Sequence, residues 1–230
     1  MIVLELDRVS KTRGRGRRAV SALREISLAI RSGEFLLLEG PSGSGKTTLL
    51  GVAAGLLTPT SGGVRLAGRW LGALDHAARR ALRATRVGFV FQRANLLARL
   101  SVAENVMLMG AIANGGHPAE RREVLRLLAM LDVEAVADRK PRELSGGEEQ
   151  RVAVARALVH HPAIVFADEP TGNLDGAAGR AVASALTVAA RECGAAVLVA
   201  THDARLLPYA SRRVRIEDGV LLPYTSLTPS

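Results

Sequence analysis

The chain has 230 residues, of which 48% are hydrophobic and 3% aromatic. That suffices for one sizeable domain, or a domain with an insert, whose core must be built from Ala, Leu, Val and Ile. The chain has no run of about 18 uncharged apolar residues that would span a bilayer, and Glu5 and Asp7 break any signal-peptide pattern, so the expectation is a cytoplasmic protein or one held at a membrane through partners. Cys193 is the single cysteine, which excludes an internal disulfide and argues against a zinc cluster.

Residues 2–9 and 23–30 alternate apolar with polar side chains, predicting two strands of an antiparallel layer. The basic run between them, residues 11–18, has no interleaved aromatic to stack on bases, and lysine occurs only at 11, 46 and 140. The net charge of +9 is therefore mostly arginine, and no nucleic-acid partner is expected. Residues 34–39 read as a short buried strand and 48–54 as the helix that follows.

Between these two lie Gly40, Pro41, Ser42, Gly43, Ser44, Gly45, Lys46 and Thr47, followed by Thr48, in the pattern G-x-x-x-x-G-K-[ST]. Three glycines let a chain wrap a polyphosphate with its backbone N–H groups directed inward, and the following helix turns its positive end to the phosphates. Lys46 would reach the β- and γ-phosphates, and Thr47 would offer its hydroxyl to Mg2+.

Residues 62–66 and 86–91 predict further strands, with a basic helix over 76–85 between them. From 93 to 161 helical periodicity dominates. Ser101 and Glu104 form a capping box opening a helix to about Ala113, residues 114–118 break it, and 119–131 form the next. Sheet texture returns with 163–167, a helix over 177–192, an apolar strand at 195–200 and a terminal strand near 214–216. Strands alternating with helices imply a parallel sheet.

Asp168 and Glu169 end a buried strand, where ligands bind in open α/β sheets; Asp168 would hold Mg2+ and Glu169 would polarise a water. His202 leaves the strand 195–200 at the same edge and can contact a γ-phosphate, or make an ordinary structural hydrogen bond. Gln92 ends the strand 86–91 as a candidate for positioning water or metal. Ser145, Gly146 and Gly147 precede a long helix and form a second anion-binding helix N-terminus. A second cradle makes most sense if it serves the nucleotide of another copy, since an N-cap alone explains Ser145 but not two adjacent glycines.

This ordered set, with Asp175 of the segment 169–175 (EPTGNLD), resembles the ATP-binding subunit of ABC transporters over almost the whole chain. Segments 169–175 and 90–97 (VFQRANLL) resemble the branch containing lipoprotein-release, macrolide-export and cell-division ATPases. The resemblance implies an α/β fold: a P-loop NTPase core with a mixed sheet and an N-terminal antiparallel β layer (1–92 and 162–230), and an inserted helical subdomain (93–161). It further implies ATP and Mg2+ as ligands and a homodimer closing head to tail. Each ATP would lie between Lys46 and Thr47 of one chain and Ser145 and Gly147 of the other. Glu169 would activate water, His202 sense the γ-phosphate and Asp175 communicate across the dimer, while Gln92 couples the site to a separate membrane permease at the cytoplasmic face. A soluble ATPase of the same type acting on nucleic acid or ribosomes is the alternative function. Such proteins have an aromatic residue stacking on adenine where this chain has Arg13, with no Tyr, Phe or Trp before Phe35. Either the Arg13 guanidinium stacks on the base, or Arg13 is solvated and affinity rests on the triphosphate.

Overall fold

The computed structural model describes residues 1–14 and 19–222; residues 15–18 of the basic run, and 223–230, lie outside the described residues. The elements in chain order are β1 (Ile2–Arg13), β2 (Val20–Arg31), β3 (Phe35–Glu39), α1 (Lys46–Ala53), β4 (Ser61–Leu66), β5 (Arg69–Trp70), α2 (His76–Arg86) and β6 (Val87–Val90). They continue with α3 (Val102–Ala113), α4 (Arg121–Met130), α5 (Gly146–Leu158), β7 (Ile164–Asp168), α6 (Gly176–Arg191), β8 (Ala196–Ala200), β9 (Arg212–Glu217) and β10 (Val220–Leu222).

Two sheets result. The first is antiparallel in the order β2-β1-β4-β5. Its alternation is interrupted by paired bulges: Arg8 and Glu25 adopt left-handed φ of 44° and 47°, and the register shifts beside them. The bulges carry the inward series across the break, from Leu4 and Leu6 to Val9 and from Leu23 to Ile26, Leu28 and Ile30. Serine hydroxyls accept the freed amides, Arg8 N–H to Ser27 Oγ at 3.1 Å and Glu25 N–H to Ser10 Oγ at 3.0 Å. Strict alternation over residues 2–9 therefore does not hold, although the antiparallel layer does.

The second sheet runs β10-β9-β3-β8-β7-β6, parallel throughout except for the β9–β10 hairpin. The central strands β3, β7 and β8 are apolar on both faces, as sheets covered on both sides require. Leu36, Leu38, Ile164, Phe166 and Leu198 face one core, shared with α1, α2 and the antiparallel sheet. Phe35, Leu37, Val165, Val197 and Val199 face a second core, shared with α3, α4, α5 and α6.

The consequence for function lies at one edge. Because β3, β6, β7 and β8 are parallel, the segments leaving their C-terminal ends emerge together: the 40–47 loop, Phe91 and Gln92, Asp168 and Glu169, and Thr201 and His202. Among the described residues no helix is long and apolar enough to cross a membrane. Cys193 is exposed, just past the end of α6.

Helix α5 crosses β6 at close range, because a Cβ placed on Gly88 would lie 2.4 Å from the Ala157 carbonyl oxygen. Gly88→Ala should therefore destabilise the fold by about 1–3 kcal/mol through overpacking. Gly72→Ala, where nothing lies within 4 Å of the added carbon, should stay within about 0.5 kcal/mol of wild type. Paired urea titrations check this, and equal midpoints for the two variants would contradict it.

Candidate active site

The 40–47 loop is shaped by contacts that forbid side chains. A Cβ on Gly40 would lie 2.2 Å from the Ile216 carbonyl oxygen, and one on Gly45 would lie 2.5 Å from that of Ala22. Gly45 also holds φ at 111° as the N-cap of α1, a conformation that L side chains rarely adopt. The loop is thus clamped between β9 and β2. Its outer side is braced by the β9–β10 turn, where Gly219 N–H donates to the Ser44 carbonyl at 3.0 Å.

Lys46 is buried, and its Nζ donates back to the carbonyls of Gly40 (2.6 Å) and Pro41 (3.0 Å). These carbonyls are contacts that an anion seated on the loop can replace. The buried Ser44 hydroxyl has no hydrogen-bond partner among the described residues, which leaves a donor and acceptor for a polar ligand on the loop.

A cavity of about 650 Å3 opens over this loop, lined by Ser42, Gly43, Gly45, Lys46, Thr47, Thr48, Asp168 and Glu169 together with Arg13, Val20, Ser21, Ala22, Arg24, Asp218 and Gly219. Arg13 thus lines the same cavity as Asp168 and Glu169, from the end of β1 where it pairs with Val20. Burial raises the Asp168 carboxyl above its ordinary value. A hydrogen bond with Thr47 offsets part of that rise, the Glu169 charge adds to it and the Lys46 charge opposes it.

Glu169 has a left-handed φ of 48°, uncommon for a side chain of its size. The turn ends the alternation of β7, so that two consecutive carboxylates line one cavity rather than opposite faces. Both Glu169 oxygens are held: Thr201 Oγ1 donates to Oε2 at 2.8 Å, and His202 Nδ1 lies 2.9 Å from Oε1. The His202 ring is 73% exposed while Glu169 is 17% exposed, so the imidazole is free to meet a ligand from the open side.

Other candidates are brought elsewhere. Gln92 Nε2 donates to Asn173 Oδ1 at 3.3 Å, and Gln92 lines a second cavity of about 300 Å3 with Asn95, Gly146, Gln150, Asn173 and Leu174. Ser145 caps α5 in a full capping box with Glu148, whose carboxyl is lowered by the Ser145 hydroxyl and backbone amide. The adjacent glycines acquire a packing cause that sequence reasoning did not supply. A Cβ on Gly147 would lie 2.9 Å from Ala178 Cβ, and one on Gly146 would lie 3.2 Å from Leu174, so α5 and α6 approach closely there. Asp175 is the N-cap of α6, accepting from Ala178 N–H at 2.8 Å.

Several residues of the site were not anticipated. Thr201 holds Glu169, and its hydroxyl also accepts the Asp203 amide at 3.0 Å. Thr171 donates to Asp203 Oδ2 at 2.5 Å, and Arg205 bonds to Asp203. From α5, Gln150 donates to the Phe91 carbonyl at 2.6 Å and Arg156 to those of Ala94 and Asn95 at 2.6 and 2.7 Å, fixing the segment after β6. The polar triplet 201–203 behind an apolar strand was a visible signal for Thr201 and Asp203. Gln150 and Arg156, and Arg205 in its bonds beyond Asp203, act across about 30 or more residues of chain and leave no local mark.

Comparison with known proteins bears on the family of the chain. The family model described as "ABC transporter" matches residues 23–172. The chain is 43% identical over 225 residues to the macrolide export ATP-binding/permease protein MacB of Syntrophobacter fumaroxidans, covering 97% of this chain and 32% of that protein. It is 40% identical over 216 residues to the lipoprotein-releasing system ATP-binding protein LolD 1 of Rhodospirillum rubrum, covering 94% and 96% of the two chains. The fold superposes on a dimeric ATP-binding cassette, MJ0796, solved in a post-hydrolysis state with ADP and Pi. The TM-score is 0.84 at 37% identity, covering 94% of this chain and 95% of that one. The chain thus spans about a third of the macrolide export relative but nearly all of the other two.

The pair formed by Asp203 and Arg205 predicts a pH dependence. Burial works to raise the Asp203 carboxyl, but hydrogen bonds from the Arg205 side chain, the Thr171 hydroxyl and the Arg205 amide, with the Arg205 charge, lower it from 3.8 to about 2. A depressed folded pKa adds stability that is complete above the ordinary value and lost as pH falls through the folded one. The gap in thermal midpoint between wild type and Asp203→Asn should therefore hold above pH 4 and shrink between 3.8 and about 2. Thermal scans across that range check it, and a constant gap down to pH 2 would refute it.

Proposed function

The chain belongs to the ABC transporter family, and from that membership we propose that it is the ATP-hydrolysing subunit of a membrane complex, working as a homodimer that closes head to tail on two ATP molecules. The observation that carries the reading is the separation of the two halves of the site. Lys46, Thr47, Asp168 and Glu169 share one cavity, while Gly146 lies in another. A nucleotide on the 40–47 loop then needs a second chain to bring Ser145, Gly146 and Gly147 over it, the capped end of α5 supplying N–H groups to the phosphates.

The roles follow from position. Lys46 exchanges the carbonyls of Gly40 and Pro41 for the β- and γ-phosphates, and the amides around Gly43, Ser44 and Gly45 cradle them with Pro41 and Ser42 as the loop crest. Thr47 and Asp168, with Gln92 once it leaves Asn173, are the residues that would hold Mg2+. Hydroxyl, carboxylate and amide oxygens suit a hard cation that takes few protein ligands and completes its shell with phosphates and water. The ion, when bound, would neutralise charge on the β- and γ-phosphates. Glu169, fixed by Thr201 and His202, orients and deprotonates the attacking water, and His202 turns its exposed face to the γ-phosphate. Thr48 supports the α-phosphate side, and Asp175 reaches the partner chain from the start of α6.

Segment 93–161 acts as the helical subdomain of a core formed by 1–92 and 162–230, carrying Ser145 toward and away from the partner's nucleotide. The second cavity and the exposed Leu97, Leu108 and Ile112 suit a membrane permease subunit docking at the cytoplasmic face, with Gln92 reporting occupancy to it. Export or lipoprotein extraction is the activity that the names of the macrolide and lipoprotein relatives favour, over a role on nucleic acid or ribosomes.

For the base, the proposal is that Arg13 stacks its guanidinium on adenine, since it lines the nucleotide cavity and, among the described residues, no aromatic side chain does. Arg13→Ala should weaken ATP binding about three- to tenfold, read by equilibrium titration. Equal dissociation constants would leave Arg13 a solvated surface residue. Glu169→Gln should lower ATP hydrolysis by about two orders of magnitude or more and run as a dimer in light scattering with millimolar MgATP. A monomeric variant that hydrolyses normally would remove Glu169 from its role.

A further inference from the structure

Arg205 has no part in the roles above, yet it is among the most highly bonded side chains near the site. It lies in the 3-10 turn Ala204–Tyr209, three residues after His202. Its Nε donates to both oxygens of Asp203 at 2.9 Å. Nη1 donates to the carbonyls of Leu174 at 3.2 Å and Asp175 at 2.6 Å, and Nη2 to that of Thr171 at 3.2 Å. One guanidinium therefore spans the loop 171–175 from its first residue to its last and ties it to the segment carrying His202. Asp203 completes the bridge by accepting from the Thr171 hydroxyl.

A second, independent feature marks the same point. Gly179 lies inside α6, where glycine costs about 1 kcal/mol relative to alanine. A Cβ there would sit 2.7 Å from Arg205 Nη1 and 2.9 Å from Cζ. The helix forgoes a side chain where the guanidinium passes. Three carbonyls and a carboxylate converging on one plane match the fork of arginine and not the point charge of lysine.

The loop so held joins the two ends of the site. Gly172 N–H donates to the Glu169 carbonyl at 3.1 Å and Leu174 N–H to that of Thr171 at 3.1 Å, so the backbone leaving Glu169 runs directly into the clamped segment, and Asp175 closes it. None of the described hydrogen bonds of Arg205 reaches the 40–47 loop.

We propose that Arg205 is a positioning residue that clamps loop 171–175 to the His202 segment, holding Glu169, His202 and Asp175 in one rigid arrangement for hydrolysis. The inference rests on the roles proposed for those three residues. It predicts a split between chemistry and binding. Displacing a reacting group by about 1 Å can cost up to about a hundredfold in rate, whereas the phosphate loop is left untouched.

The test is steady-state ATP hydrolysis with parallel nucleotide titration on full-length Arg205→Ala, Arg205→Lys and Gly179→Ala, alongside Glu169→Gln. Arg205→Ala should lower kcat by about ten- to a hundredfold with KM and nucleotide Kd within about twofold. Arg205→Lys, which retains the charge beside Asp203 but not the fork, should recover only a small part of that loss. Gly179→Ala, with Arg205 intact, should reproduce the kcat defect by pushing the guanidinium aside, and combining it with Arg205→Ala should slow the enzyme no further. Amide exchange at Gly172 and Leu174 should quicken in each variant. If Arg205→Ala does not fold, judged by circular dichroism, the lysine and Gly179 variants carry the same comparison. Wild-type kcat in these variants, or complete rescue by lysine, overturns the clamp while an inactive Glu169→Gln leaves the ATPase assignment standing. Normal hydrolysis by Glu169→Gln overturns that assignment and the clamp with it.

Discussion

Everything at this site depends on the parallel register of β3, β8 and β7. Leu38 lies beside Ala200, and Ala200 beside Asp168, so one row of the sheet sets where the phosphate loop, the His202 segment and the two carboxylates leave it. Burial alone does not fix that row, because all three strands are apolar on both faces and a one-residue slip would exchange one hydrophobic side chain for another. The specifying contacts sit at the strand ends. Thr201 N–H donates to the Leu38 carbonyl at 3.1 Å and Glu169 N–H to that of Ala200 at 2.8 Å. The residues that organise the chemistry thus also lock the sheet on which they stand.

The 40–47 loop is fixed from outside as well as by its own hydrogen bonds. Its tight approaches are to Ile216 on β9, to Ala22 on β2 and to the turn at Gly219, all far away in sequence. The antiparallel layer is therefore more than a cover for α1. Through Ala22 on β2 it limits how the loop can lie, and through Arg13 and Val20 it forms part of the cavity wall. The bulges at Arg8 and Glu25 keep the inward face of β1 and β2 continuous, which lets long strands reach that wall without exposing the core.

How much of this was legible in the sequence follows the range of each interaction. The loop 40–47, the carboxylates at the end of β7, the capping box at Ser101, the helix start at Ser145 and the apolar strands are short-range patterns, and the structure forms each of them. The bulges were hidden because a single left-handed residue leaves the apolar–polar text almost unchanged. Gly147 was legible as unusual, but its packing cause was not, since Ala178 is 31 positions away. The reach of Arg205 was invisible for the same reason: apart from the Asp203 carboxylate two positions away, its acceptors are backbone carbonyls, which every residue owns, so no residue type at 171, 174 or 175 announces them. Arg13 is the converse, a departure that sequence comparison exposes and that the cavity wall then locates.

The chain leads from the first cavity to the second through the loop 171–175. Glu169 faces the first cavity from the residues before that loop, while Asn173 and Leu174 line the second, where Asn173 meets Gln92. Gln92 in turn leads into a segment whose carbonyls are gripped by Gln150 and Arg156 on α5, the helix that opens with Ser145. A flexible loop at this junction would absorb a change on one side without passing it on. A loop tied at both ends by one guanidinium has few arrangements available, so a shift of Glu169 or His202 must either be resisted or carried to Asn173 and Asp175 together. Coupling of this kind needs an element with discrete positions rather than a continuous spring. The Arg205 fork, with Gly179 cleared to admit it, supplies the rigidity that such an element requires.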